Sequence, residues 1–80
     1  FPNPSSQQII AGFSLQTAAR VDLDIRDMQG KIVQTIAKKA FYLPGQHKLT
    51  INLPELSDGI YVLSLKSSRF AKTEKFVVNH

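Results

Sequence analysis

Eighty residues suffice for one domain with one core and leave no room for a second. The chain is 42% hydrophobic and 20% charged, and its ten Lys and Arg against six Asp and Glu give a formal net charge of +4. No apolar run approaches the roughly 18 residues of a membrane helix, and the lack of cysteine excludes disulfides and thiol-based redox or metal sites.

Phe1-Pro2-Asn3-Pro4 is a stiff lead-in, because two prolines fix φ and push Phe1 and Asn3 towards extended geometry. A start at Phe1 rather than Met, with no charged-then-apolar leader, reads as a piece (residues 1–80) of a larger protein. Ser5 to Gln8 is polar. From Ile9 to Leu15, Ile9, Ala11, Phe13 and Leu15 share one face, a first strand. Thr17-Ala18-Ala19-Arg20 reads as a short connection. Val21, Leu23 and Ile25 then alternate with Asp22, Asp24 and Arg26, the pattern of a one-sided strand. Asp27-Met28-Gln29-Gly30 places Asp first and Gly fourth in a type I turn, with Gly30 suited to a left-handed residue closing a hairpin. Lys31 to Ile36 is the returning strand. Ala37-Lys38-Lys39-Ala40 fits either a helix or an edge strand.

Phe41-Tyr42-Leu43 leads into Pro44-Gly45, the favoured centre of a type II turn. Leu49, Ile51 and Leu53 alternate with Thr50 and Asn52 until Pro54 ends the strand, having no N–H to give a ladder. Glu55 to Gly59 is turn chemistry with one apolar plug, Leu56. Ile60-Tyr61-Val62-Leu63-Ser64-Leu65 follows, apolar on both faces in its first half, as expected of a central strand covered from both sides. The other strands pack around it. Lys66 to Arg69 is a loop or hairpin tip, and Lys72 to Val78 is a last strand with Phe76 and Val78 on one face, Lys75 and Val77 on the other. Six or seven short strands at these spacings predict an all-β antiparallel sandwich.

Four blocks in order carry a resemblance: Phe1-Pro2-Asn3-Pro4, Asp27 to Val33, Leu53 to Tyr61, and Lys75-Phe76-Val77-Val78 at the end. The chain resembles the type A C-terminal sorting domain of cargo proteins of the type IX secretion system. That resemblance implies an immunoglobulin-like sandwich of about seven strands. It also implies a sorting role: the domain directs its cargo through the periplasm to an outer-membrane translocon and a β-barrel shuttle protein. A cysteine-protease sortase then usually removes it and joins the cargo to anionic lipopolysaccharide at the cell surface. The chain departs from the family pattern at Ser67-Ser68-Arg69, where a glycine is frequent, and at Val78-Asn79-His80, which lacks the basic end many members carry.

Recognition by such partners would fall on Lys75, Phe76, Val77, Val78, Asn79 and His80, because an edge strand offers its backbone to a reader. The ordinary alternative is a last strand that only completes the fold. Pro2, Asn3 and Pro4 could mark the junction of linker and domain. Asp27 and Gly30 are turn formers; Gly59 is expected to hold positive φ or admit a close backbone; Tyr61 is expected to send its hydroxyl to a loop backbone. Lys66, Arg69, Lys72 and Lys75 against Glu74 give the C-terminal segment a charge of +3, suited to lipopolysaccharide or simply to solvation. Nucleic-acid binding is disfavoured, as Phe70 and Phe76 are the only aromatics there. Strand exchange between isolated copies is open to such a last strand.

Catalysis has little to work with. The histidines are His47 and His80, and no glycine-flanked serine elbow is present. Two separated histidines give no metal-ligand spacing, so neither enzyme activity, metal nor cofactor is expected. A second functional reading is a retained accessory module of a surface protein, binding lipopolysaccharide, another carbohydrate or protein.

Overall fold

The computed structural model describes residues 8–53 and 56–79. Six strands lie among them: β1 (Gln8–Leu15), β2 (Ala19–Asp27), β3 (Ile32–Tyr42), β4 (Gly45–Asn52), β5 (Gly59–Lys66) and β6 (Ala71–Val78). Every pairing is antiparallel. β1 and β4 form a narrow sheet, and the wide sheet has the order β3-β2-β5-β6. Pro2, Asn3, Pro4, Pro54, Glu55 and His80 lie outside the described residues.

The alternating residues of β1, β2, β4 and β5 supply one shared core. Ala11, Phe13 and Leu15 from the narrow sheet join Val21, Leu23, Ile25, Tyr61, Leu63 and Leu65 from the wide one, and Ile51, Leu53 and Val78 complete it. Leu56 packs partly against this cluster, as the apolar plug of its turn should. Phe13, Tyr42 and His47 add an aromatic contact among β1, β3 and β4. Phe13 stacks on His47 at 5.2 Å, Tyr42 meets Phe13 edge-on at 5.3 Å, and the His47 Nε2 donates to the Leu43 carbonyl at 2.7 Å. His47 is thereby half-buried against Phe13 and Tyr42.

The Asp27 turn forms as its residues predict. Gly30 N–H donates to the Asp27 carbonyl at 3.0 Å, Asp27 Oδ1 accepts from the amides of Gln29 and Lys31, and Gly30 sits at φ 88°. Gly45 likewise takes positive φ, 121°. There the chain leaves the wide sheet for the narrow one.

Three expectations change. Ala19 and Arg20, read as a connection, already belong to β2, and the undecided Ala37 to Ala40 is strand. β3 is irregular: its register with β2 shifts three times between Ile32 and Ala40, and Lys39 adopts φ 51°. Two contacts from β2 hold the distortion, since Asp22 Oδ1 accepts from the Lys39 amide at 2.7 Å and Arg20 Nη1 donates to the Lys39 carbonyl at 3.2 Å. The third change concerns β5. It is central by hydrogen bonding, flanked by β2 and β6, yet only its Tyr61, Leu63 and Leu65 face is fully covered. Ile60 on the opposite face is 48% exposed.

Candidate recognition surface

β6 is the strand that the sequence singled out for recognition, and its position follows from its pairing. It runs in unbroken register with β5, from Gly59 opposite Val78 to Lys66 opposite Ala71. The wide sheet ends at β6, so its other backbone edge has no strand beside it among the described residues. The two faces of β6 do different things. Val78 is buried at 2% exposure, and Phe76 packs partly into the core with its ring stacked on Tyr61 at 6.0 Å. Lys75 and Val77 point to the outer face, where Val77 is 67% exposed; Asn79 is exposed beyond the strand. The expected split of the last strand into an anchoring and an outward face is what the fold shows.

Residues far apart in sequence meet at this end of the wide sheet. One row across β2, β5 and β6 consists of Asp27, Tyr61 and Phe76. Gly59 faces Val78 in the next row but one. The neighbouring row across all four strands is Ile32, Arg26, Val62 and Lys75. The Asp27 turn, the Gly59–Tyr61 segment and the last strand therefore form a single corner.

Each of these residues has an identifiable local duty. Tyr61 sends its hydroxyl to the Ser57 carbonyl at 2.8 Å, the tie to loop backbone that its position predicted. This satisfies a phenol whose ring is buried. Gly59 holds the positive φ expected of it, 159°, and a side chain there would meet the Tyr61 ring at 3.8 Å, not another backbone. Asp24, buried on the outer side of β2, is paired with Arg26, Nε to Oδ1 at 2.9 Å. That hydrogen bond, with the attraction between the two charges, holds the Arg26 guanidinium above its ordinary pKa.

The outer face also carries apolar residues that sequence reasoning did not assign to a surface. Ile60 lies opposite Val77, and Ile32 in the adjoining row is 46% exposed. Within that row Val62 lies between Arg26 and Lys75, and Ile32 flanks Arg26 on its other side. The signal was present in Ile60-Tyr61-Val62, where alternation fails, but it was interpreted as cover on both faces. On the inner side of β6, an open groove of about 500 Å³ is lined in part by Phe13, His47, Phe70 and Lys72. β1 and β4 supply its other side, through Gly12 to Ser14 and Gln46 to Lys48.

A family model of the secretion system C-terminal sorting domain matches residues 1–79. Comparison with curated proteins and with solved structures gave no match. The matched span contains the whole corner just described. The chain belongs to the secretion system C-terminal sorting domain family and is a sorting signal for type IX secretion, marking its cargo for the cell surface or the extracellular space.

Proposed function

We propose that the secretion machinery reads this domain chiefly through β6 and the outer face beside it. A β-barrel shuttle protein of the outer membrane is the first reader, and a cysteine-protease sortase the second. The sortase then separates residues 1–80 from the larger cargo and passes the cargo to anionic lipopolysaccharide. The observation that carries the reading is the exposed edge of β6, with Lys75 and Val77 facing outward while Val78 anchors the strand. An edge strand of this kind presents unpaired amides and carbonyls for a partner to extend. The domain itself performs no chemistry in this proposal and needs no metal or cofactor.

We further infer that the two sheets are a reduced immunoglobulin-like sandwich. The shared core of the sheets and the Tyr61 tie to Ser57 support it, the latter resembling the tyrosine that pins a sandwich corner. To test the recognition claim, Lys75 to His80 are deleted from a full-length cargo and its location is followed. Retention of that cargo inside the cell is expected. Normal delivery to the surface would overturn the claim.

A further inference from the structure

We propose that two copies of this chain pair edge to edge through β6, in one register, with a two-fold axis passing through Thr73. The wide sheet has two edges, and they differ. β3 is broken by three register shifts and by the left-handed Lys39, which spoils it as a template. β6 keeps eight consecutive unshifted pairs with β5 and contains neither proline nor glycine. It is the flat edge.

Geometry restricts how that edge can meet a copy of itself. In an antiparallel two-fold pair, directly opposed side chains lie on the same face, so an inward residue must face an inward residue. On β6 the inward set is Lys72, Glu74, Phe76 and Val78, because these sit opposite Leu65, Leu63, Tyr61 and Gly59. An axis through Lys72 would set that lysine against itself. Axes through Glu74 or Lys75 would do the same with those charges. An axis through Thr73 sets Lys72 opposite Glu74 of the second copy and Glu74 opposite its Lys72.

The same register places Phe70 opposite Phe76 of the second copy, again twice. Phe70 is the residue just before β6, so this pair continues the ladder one residue beyond the strand, and both rings are partly buried and packed against their own core. Outside, Ala71 would face Lys75. Opposite charges and aromatic pairs across strands stabilise a ladder, and like charges oppose it. Lys72 and Glu74 are exposed, and neither has an ion pair among the described residues. Inward charges on an edge strand ordinarily repel passing strands. Here they also select the one register that neutralises them, and the open groove beside Phe70 and Lys72 leaves those two side chains room to move. The product is a continuous eight-stranded sheet. It occupies the edge assigned above to the reader, so on that reading pairing and recognition exclude each other.

Sedimentation equilibrium of the 80-residue chain over a concentration series tests the register. Lys72→Glu and Glu74→Lys should each weaken self-association by about tenfold or more, since two attractive pairs become repulsive. The double substitution should restore it. An equimolar mixture of the two single variants should also associate, as each supplies the charge the other lacks. Circular dichroism checks that every variant is folded, which exposed positions favour. A chain that stays monomeric up to about 1 mM overturns the proposal. So do single variants that associate as tightly as the original, the outcome that exchange of β6 between copies would give, because β6 would then still lie on a β5.

Discussion

Val77 and Val78 are adjacent and chemically identical, and the fold assigns them opposite fates. Val78 is 2% exposed in the core; Val77 is 67% exposed on the outer face. Val78→Ala removes two buried methyl groups at about 0.8 kcal/mol each. The incompletely filled space adds to that, for a total near 2 kcal/mol. A domain of this length has only about 4–12 kcal/mol of stability in all, so the loss is a large share. It corresponds to a fall in melting temperature of roughly 8–16 °C. Val77→Ala should change stability by less than about 0.5 kcal/mol. Far-UV circular dichroism during urea and thermal unfolding measures both, as the chain has no tryptophan. Delivery of a cargo carrying each variant completes the comparison. Val78→Ala should impair delivery in proportion to its unfolding, and Val77→Ala should impair it with the fold intact. Equal destabilisation by the two variants would refute the assignment of faces. Full delivery of the Val77→Ala cargo would refute the role of the outer face.

Tyr61→Phe keeps the buried ring but leaves the Ser57 carbonyl without its donor, and thermal melts should show a loss of about 1 kcal/mol. Gly30→Ala meets no atom within 4 Å but must hold φ 88°, so its cost of about 1–2 kcal/mol is backbone strain alone. Gly12→Ala is the contrast. Its new methyl would be in ordinary contact with the His47 carbonyl at 3.8 Å, and the chain should become more stable by about 0.4–1 kcal/mol in the same urea titrations.

The alternation in Ile9 to Leu15 and in Val21 to Ile25 showed which faces would be buried, because a strand covered on one side sorts its residues in twos. The turn at Asp27 to Gly30 was equally readable, since its hydrogen bonds close within five residues. Residues 37–40 were not. Their bulge is fixed by Asp22 and Arg20, which reach Lys39 from 17 and 19 residues away, and no local pattern records such contacts. Ile60 misled for a related reason. Two apolar faces on a strand mean either two covering layers or one layer and an open surface, and composition does not distinguish them. The recognition segment itself was found from the resemblance, but its meeting with the Asp27 turn and Tyr61 depends on the strand order β2-β5-β6.

The narrow sheet has a bearing on how the molecule assembles itself. β2 with β3, and β5 with β6, are each joined by four residues, whereas residues 16–44 intervene between β1 and β4. Closing that roughly sevenfold longer loop costs about 2 kcal/mol more entropy before any contact between β1 and β4 rewards it. The two local hairpins therefore have a head start, and their docking prepares the surface on which the first and fourth strands can find each other. Completion of the core waits on that late encounter.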